Sequence, residues 1–583
     1  MASTSDRQHP LKAIHRLRKI CLLLILLQSF ALYATSQVEN VPVNHPVYPF
    51  LKRMEVKHII ERYHDAILPL SRHKVANFLN RISQRSEWLT SAEHGYLRDF
   101  LQEFRHEVTG SVDGFSSIIG ADALAPGRVE HKIFSSQEKF LFFLKDTNIV
   151  VFVNGLLDLD ARRITGDGLG SDRAEFAQFG GRIRGTLYDR LGVYLQATNA
   201  QFWGSRELLQ RDRLIGQSYT LRVQNARNFD FAEGYVHYDA GIVSAQLGRE
   251  RVLWGYGYDQ RLTLSDNVRV FDFVKADVEY ESLKYTFLHA WLLGKRTAMR
   301  FALPSDTSTL FVEPVVADKY FAGHRFEISF PTVMDIGVQE MVIYSNRAPD
   351  LAYLNPLILI ESAQRSREER DNVFWAFDIQ TRFVPDLELS GTFLFDDINF
   401  PDLFTDAWSD RHAFQVGLFY ADPFAINNAS LMIDYTRIEP YVFAHDRSRE
   451  NDYGSLGSLL GPRIGSNADA WFFRLDSFPR RDLMFSLRVS VERQGENILD
   501  SSGILIKNVG GDFLQPHRPK DSDRKKFLDG ILHKTLRVQW MVTLEIVNQL
   551  WLDARYEYEA IRNVNTGGRE KNHTFGTRLR MEF

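Results

Sequence analysis

The hydrophobic pattern along the chain changes its period once. Within 45–104, apolar residues recur three and four positions apart, which is the spacing of an amphipathic helix. Three stripes stand out: Val47, Phe50, Leu51 and Met54; Val75, Phe78, Leu79 and Ile82; and Tyr96, Leu97, Phe100, Leu101 and Phe104. Ser71 fits an N-cap, and Thr90 with Glu93 fits a capping box. The pattern predicts three short helices, which must bury their apolar faces against each other or against a larger partner.

From about residue 140 onward the period is two. The runs 483–492, 536–546 and 552–559 alternate apolar and polar residues along their length. Such runs exceed the ~5–6 residues usual for strands of soluble sheets and approach the ~9–11 that a tilted strand needs to cross a membrane. No later window has 18 consecutive apolar residues, so a helical membrane protein is excluded. The choice is between a secreted soluble sandwich and a membrane β-barrel.

The links between these runs favour the barrel. Short links lie at 189–191, 331–334, 384–386, 422–428, 479–481 and 548–550. Long links lie at 249–272, 345–372, 396–411, 439–468, 494–534 and 562–573. Short and long links alternate, as the periplasmic turns and extracellular loops of an outer-membrane barrel do. Counting gives about nineteen strands, but two periplasmic ends require an even number, so we expect about 18. Either 138–145 is not a membrane strand or one strand is missed.

Both ends of the sequence agree with export to the outer membrane. Five basic residues precede the apolar run 20–27, and Ala34 and Ser36 fit a signal-peptidase cleavage site. The alternative, a short membrane anchor, would need ~20 apolar residues. At the other end, the alternating run 575–583 finishes on Phe583 and resembles the assembly signal of outer-membrane barrels. We therefore expect the barrel assembly machinery and outer-membrane lipid as partners.

These observations divide the chain into four parts. Residues 1–36 are the predicted signal peptide and 37–110 a periplasmic helical domain. A linker, 111–132, rich in Gly, Ser and Ala, leads to an all-β antiparallel transmembrane barrel over 133–583.

Composition narrows the chemistry. The formal net charge is −4, which does not indicate a nucleic-acid partner. Cys21 is the only cysteine, so disulfide scaffolds and cysteine-ligated metals are excluded. Zinc-protease, nucleophile-elbow and P-loop motifs are absent from the sequence. We expect no enzyme activity, no catalytic residue, no cofactor and no metal, although a lipolytic Ser and His pair in a barrel wall would escape a motif search.

The polar faces of the C-terminal strands carry charges of both signs. These residues are expected to point into the lumen: Arg488, Glu492, Arg537, Glu545, Asp553, Arg555, Glu557, Arg578, Arg580 and Glu582. The mixture of signs predicts cross-strand ion pairs rather than a selectivity ring of one sign.

One long link, within 249–272, stands apart because aromatic residues alternate with glycine. Aromatic rings stack on sugar rings, while Asp, Asn and Arg form paired hydrogen bonds with hydroxyl groups. The loop alternation predicts that this link lies on the extracellular rim. The candidate polysaccharide-binding residues are Trp254, Tyr256, Tyr258, Asp259, Arg261 and Asn267. The alternative is a Gly-rich loop that folds into the lumen and only shapes it.

The same link carries a family resemblance. Gly248-Arg249, Trp254-Gly255 and Ser265-Asp266-Asn267 resemble a stretch of the Wzi capsule-assembly proteins. Further similar segments are Gly323-His324-Arg325, Tyr353-Leu354-Asn355-Pro356 and the start Val41-Pro42 with Tyr48, Leu51 and Arg53. The resemblance extends over most of 41–583. It implies an 18-stranded outer-membrane barrel with a periplasmic helical plug, acting as a non-enzymatic lectin that helps retain capsular polysaccharide.

We therefore predict an outer-membrane β-barrel that attaches capsular or other surface polysaccharide to the cell. Many weak contacts along a repeating polymer would supply its affinity through avidity. The alternative function is a porin or transporter whose lumen is gated or plugged by the N-terminal helices.

Overall fold

The computed structural model describes residues 37–119, 133–223, 225–303, 306–367, 370–445 and 450–583. The predicted signal peptide, with Cys21, and residues 120–132 of the predicted linker lie outside these ranges.

Four helices occupy the start of the described chain, where the period of the sequence predicts helices, and two short helices lie in later links. The helices are α1 (Val47–Val56), α2 (Arg72–Ser83), α3 (Ser91–Glu103), α4 (Arg105–Thr109), α5 (Arg206–Gln210) and α6 (Ile360–Ser366). The side chain of Ser71 accepts a hydrogen bond from the Lys74 N–H, and Thr90 with Glu93 forms a complete capping box. Both predicted helix starts are confirmed, and α4 adds a short turn that the periodicity does not predict.

In the described part of the chain, eighteen antiparallel strands close into one barrel, so the predicted fold class is confirmed. The strands are β1 (Ile149–Gly166), β2 (Gly170–Leu187), β3 (Leu191–Gly204), β4 (Asn228–Asp239), β5 (Val243–Glu250), β6 (Phe271–Tyr280), β7 (Leu283–Leu303), β8 (Asp306–Phe330), β9 (Met334–Ser345), β10 (Asn372–Val384), β11 (Leu387–Asp396), β12 (His412–Ala421), β13 (Ala429–Ile438), β14 (Ala468–Arg480), β15 (Leu483–Glu496), β16 (Ile531–Val547), β17 (Leu550–Asn563) and β18 (Arg569–Glu582).

Short elements decorate the barrel. Paired strands are Ile67–Leu68 with Leu253–Trp254, Phe115–Ser117 with Glu138–Phe140, Gly454–Ser455 with Ser458–Leu459, and Ile498–Leu499 with Leu505–Lys507. Turns of 3₁₀ helix occur at Ser86–Trp88, Ile215–Gln217, Thr220–Arg222, Phe400–Asp402 and Pro423–Ala425.

The closure of the barrel explains the uncertain strand count. Strand β18 pairs with β1 from Glu582 opposite Leu156 to Asn572 opposite Gly166. The preceding part of β1 pairs instead with the short strand Phe142–Lys145. This strand extends the same edge beyond the end of β18, so it is the nineteenth run of the sequence and not an additional wall strand.

The two ends of the barrel differ as the link lengths predict. The links after β2, β4, β6, β8, β10, β12, β14 and β16 are short and lie at one end, called here the short-turn end. The long links lie at the opposite, long-loop end. In outer-membrane barrels these ends face the periplasm and the exterior, respectively. The link after β17 covers only residues 564–568 and is shorter than expected.

Lumen-facing charges form ion pairs, as the mixture of signs predicts. Arg537 contacts Glu492 at 2.7 Å and Glu559 at 2.9 Å, and Arg580 contacts Asp553 at 2.9 Å. Residues of the opposite face are apolar and exposed, as for a lipid-facing surface, among them Phe179, Leu195, Leu247, Phe377, Leu389, Trp540 and Phe575. Within the described residues, no helix is long and apolar enough to cross a membrane.

The helical segment docks into the short-turn end of the lumen. Lys52 of α1 binds Glu388 of β11 at 2.7 Å, and Arg53 binds Asp422 in the β12–β13 turn at 2.5 Å. Both basic side chains are buried. Buried charges are tolerated when they are paired, so the helices and the wall satisfy each other's charges.

The segments before and after these helices are attached to other strands of the barrel, β2 and β1. Glu39 accepts a hydrogen bond from Arg184 of β2 at 3.0 Å. In α4, His106 is buried beside Phe152 of β1, with ring centroids 6.0 Å apart. This burial lowers the pKa of His106 to about 4, because the imidazolium would lose its hydration.

Candidate functional site

The link between β5 and β6, which holds the six predicted binding residues, leaves the long-loop end and turns into the lumen. Gly255 has φ of +92° and Gly257 φ of +147°, a region that favours glycine and lets the chain reverse direction. Leu253–Trp254 then pairs with Ile67–Leu68 of the helical segment. The link therefore meets the plug inside the barrel, and the predicted position on the extracellular rim is wrong for most of it.

Trp254 and Tyr256 are enclosed by protein. Trp254 is 0% exposed and meets Phe321 edge-on, with ring centroids 6.3 Å apart. Tyr256 is 4% exposed, and its ring faces the guanidinium of Arg325 at 5.5 Å. Neither ring offers a face to a sugar in this structure. Trp254 is enclosed because its burial removes apolar surface from water. It belongs to a hydrophobic core in the lumen with other apolar residues of the same link, namely Val252, Leu262, Leu264 and Val268.

The next three candidates, Tyr258, Asp259 and Arg261, form hydrogen bonds inside the barrel. The Tyr258 hydroxyl donates to Glu388 at 2.9 Å. The backbone N–H groups of Tyr258 and Asp259 donate to one Asp434 oxygen at 2.7 and 3.1 Å. Arg261 donates to the Ala66 carbonyl at 2.8 Å. These contacts fix the link to β11, β13 and the helical segment at once, so the alternative interpretation, a loop that shapes the lumen, describes their positions.

Asn267 differs from the other five candidates. It donates to the Leu459 carbonyl at 3.0 Å and lies on the wall of a cavity of about 760 Å³ at the long-loop end. The cavity, called here the loop cleft, lies mainly between the links 439–467 and 497–530. Its wall combines apolar side chains with amides and charges: Leu459, Leu499, Ile504, Leu505, Phe513, Gln494, Asn497, Gln515, Glu496, Asp512, Arg463, Arg518 and Lys520.

Ion pairs and hydrogen bonds hold the walls of the loop cleft. Arg518 contacts Asp521 at 2.7 Å and donates to the Leu505 carbonyl at 3.2 Å. Arg463 contacts Glu492 of β15 at 3.2 Å. Lys520 is exposed. Arginines held in place, amide groups and an aromatic ring together provide donors, acceptors and an apolar face, which is the chemistry that a polar polymer with hydroxyl groups requires.

A neighbouring loop supports the cleft from outside. The backbone N–H of Trp408 donates to the Asp523 carbonyl at 2.9 Å, and its ring stacks on His517 with centroids 4.0 Å apart. Tyr441 meets the same imidazole edge-on at 5.4 Å. Three long loops are thus joined into one structured cap over this part of the barrel.

The described residues contain no group of three or more His, Cys, Asp or Glu side chains arranged to hold a metal ion.

Comparison with known proteins identifies the family of the chain. The model of the capsule assembly protein Wzi family matches residues 165–575, which is most of the barrel. The chain belongs to the Wzi capsule-assembly family. This membership confirms the resemblance carried by the β5–β6 link, and with the closed barrel it places the protein in the outer membrane.

The solved structure of Wzi from Escherichia coli has the same fold. It is described as an outer membrane protein involved in group 1 capsule assembly and as a carbohydrate-binding β-barrel. The TM-score is 0.53 at 11% identity, over 93% of this chain and 99% of that chain.

Two Pseudomonas aeruginosa structures match less well. OpdK with vanillate has a TM-score of 0.41 at 11% identity, over 76% of this chain and 100% of that chain. OccK5 (OpdH) has 0.40 at 8% identity, over 74% and 98%. No curated protein matches the chain.

Sequence reasoning about this Wzi-family member missed the loop cleft. The links 439–468 and 494–534 were recognisable as the longest loops, but their residues come together only through contacts between loops. A signal for the inward path of the β5–β6 link was present, because a loop exposed to water would not need so many apolar residues.

Proposed function

We propose that this protein retains capsular polysaccharide at the cell surface and that the polymer binds in the loop cleft. The observation that carries the proposal is a structured cleft of about 760 Å³ at the long-loop end of a barrel from a capsule-assembly family. The related Escherichia coli Wzi is described as carbohydrate-binding. A cleft with charged, amide and apolar walls suits a repeating polymer, for which several weak contacts add up.

The six candidate residues of the β5–β6 link would contribute to binding in two different ways. Asn267 contributes directly to the wall of the cleft. The same link forms a floor beneath the cleft, since Gln260 accepts from the Arg463 N–H at 2.5 Å and the Ser265 N–H donates to the Leu460 carbonyl at 2.8 Å. The other five candidates act indirectly, by holding this link in place: Trp254, Tyr256, Tyr258, Asp259 and Arg261. Loss of these residues would change the shape of the cleft rather than remove a sugar contact.

A barrel without enzyme activity is part of the proposal. Catalysis is not needed for retention, since the bound polymer leaves unchanged. The alternative function, a porin or transporter, requires a continuous aqueous path. Against it stand the helical plug at one end and the β5–β6 link within the lumen, which are paired to each other. Planar-bilayer recordings on the intact protein test this alternative, and large steady currents would favour the channel.

The retention test compares cell-bound with shed polysaccharide in a deletion strain that carries plasmid-borne variants. The variant Ile504→Ala with Lys520→Ala removes an apolar and a charged group from the cleft wall. The matched control is Ile506→Ala with Lys526→Ala, two exposed residues of the same loop that do not line the cleft. We expect more shed polymer for the cleft variant and wild-type retention for the control. Equal retention by both variants, at equal membrane levels, would contradict the proposal.

Two further partners are proposed for assembly. The outward apolar face would contact outer-membrane lipid, and the terminal strand β18 would be recognised by the barrel assembly machinery. The alternating face of β18 and the position of Phe583 beside β1 support the second proposal.

A further inference from the structure

The link between β9 and β10, described over residues 346–367, takes an unusual path. It leaves the long-loop end, but instead of covering the mouth it packs on the outer wall of the barrel. Its residues Tyr353, Ile360 and Ala363 form a core with outward-facing wall residues, namely Tyr320, Ala322, Val342, Tyr344 and Val373. The alternate residues of the same strands belong to the lumen core, among them Phe321, Met341, Ile343 and Phe374. The link, called here the wall flap, therefore lies on the face that meets lipid elsewhere.

Glu340 shows how far down the wall the flap extends. This residue lies midway along β9, between Met334 and Ser345, and it points outward with its side chain buried. At ~3.3 Å per residue and a tilt of ~40°, it lies ~15 Å above the short-turn end, within an apolar band ~25 Å tall. An acidic side chain facing lipid at this depth would be costly.

The flap satisfies that carboxylate. The backbone N–H groups of Ile360 and Glu361, at the start of α6, donate to the two Glu340 oxygens at 2.9 and 2.7 Å. His324 of β8 contacts Glu340 at 3.0 Å. The flap thus has a built polar anchor on the outer wall, and the same contacts satisfy backbone groups of α6 that could not face hydrocarbon unpaired.

The tip of the flap is apolar and lies at this depth or below it. The Tyr285 hydroxyl, near the short-turn end of β7, donates to the Pro356 carbonyl. Around the tip, Leu357 and Leu359 are 88% and 61% exposed. Exposed leucines of this kind are unfavourable in water but favourable among acyl chains. Wall residues on either side of the tip are also exposed and apolar, including Phe326 and Phe377.

From this geometry we infer that residues 346–367 form a lipid-embedded flap, whose leucine tip inserts among the acyl chains of the bilayer. The occupant of its outer surface is lipid, because the tip continues the apolar band of the barrel wall. Arg365 and Arg367 lie nearer the end of the link that returns to β10, and both are exposed and paired with acidic residues of the flap. Such residues are suited to the headgroup region, where long basic side chains reach water.

Spin labelling of the full-length protein in lipid bilayers tests the inference. In a Cys21→Ser background, Leu357→Cys carries a nitroxide, and power saturation measures its accessibility to oxygen, which concentrates in lipid, and to a water-soluble nickel chelate. Phe377→Cys on the outer wall serves as the lipid control and Ile506→Cys in the loop after β15 as the aqueous control. We expect Leu357→Cys to match Phe377→Cys, with high oxygen and low nickel accessibility.

Two other results would overturn the inference. Nickel accessibility like that of Ile506→Cys would place the tip in water. Low accessibility to both reagents, or spin–spin broadening between labels, would show that a second copy of the chain covers the tip instead of lipid. Heat-modifiable migration confirms that each variant is folded. Leu359→Cys repeats the measurement if Leu357→Cys fails to assemble.

Discussion

Trp254 is paired with Ile67 in a two-stranded antiparallel sheet inside the barrel. One residue belongs to a link that leaves the long-loop end, and the other belongs to the helical segment that enters from the short-turn end. The pair joins the two structures that fill the lumen, so a change at either residue is expected to affect both.

Trp254→Ala tests this joint. Removing a fully buried indole leaves a cavity and costs about 3–5 kcal/mol at comparable core sites. We expect faster limited proteolysis both in the β5–β6 link and in residues 45–106, while the barrel stays heat-modifiable. Trp88→Ala, at an exposed position in the helical segment, is the matched control and should change neither rate. Proteolysis restricted to one of the two segments would show that they are not coupled.

Combining Trp254→Ala with Tyr258→Ala extends the test to function. Tyr258 packs against Phe419 of β12 and donates to Glu388 of β11. The double variant therefore loses the contacts of the link with these strands as well as those of Trp254. We expect clearly lower polysaccharide retention than for either single change, because the floor of the loop cleft loses its support. A double variant that assembles normally and retains wild-type amounts of polymer would separate the link from binding.

Phe78→Asp tests whether the helices fold as a unit distinct from the barrel. Phe78 is buried in α2, where it meets Tyr63 edge-on at 5.6 Å, so Asp would remove this contact and place a carboxylate among the apolar residues of the helical core. We expect increased protease sensitivity in the helices and an intact barrel. Asn77→Asp makes the same charge change at the neighbouring exposed position and should be neutral. Loss of the barrel together with the helices would mean that they unfold cooperatively.

Phe583 closes the barrel beside β1. Its backbone N–H donates to the Gly155 carbonyl at 3.1 Å, and its ring lies against Gly155. Deleting Phe583, or replacing it with Asp, should lower the amount of assembled barrel in the outer membrane. Phe583→Trp keeps an aromatic ring and should retain assembly. Normal membrane levels of the deletion and the Asp variant would contradict this role.

Acid should loosen the helical plug through His106. Burial lowers the pKa of this imidazole to about 4, below the ordinary 6.5. Between these values the unfolded segment binds a proton that the folded segment does not, so this stability is complete above pH 6.5 and falls as the pH drops towards 4. His106→Leu should flatten the pH dependence of plug proteolysis. His94→Leu, at an exposed position of α3, should leave it unchanged.

The sequence by itself determined the secondary structure, the barrel and its two unequal ends. Helical spacing from Val47 onward and strict alternation in runs such as 536–546 depend only on which face of an element is buried, so a local pattern is sufficient. The mixed charges of the polar faces likewise predicted the pairs that Arg537 and Arg580 form. Local chemistry also predicted the caps at Ser71 and Thr90.

Only the tertiary structure decided where the links lie. Trp254 was expected at the rim and is enclosed in the lumen, because an eighteen-strand barrel is wide enough to admit a loop and the apolar β5–β6 link leaves water by folding into it. The loop cleft depends on contacts between residues far apart in sequence, such as Asn267 and Leu459. The role of Glu340 as an anchor for α6 could be recognised only from the structure, in which its strand turns it outward. The path of a link depends on the surfaces that the rest of the fold leaves uncovered, and no local period encodes those surfaces.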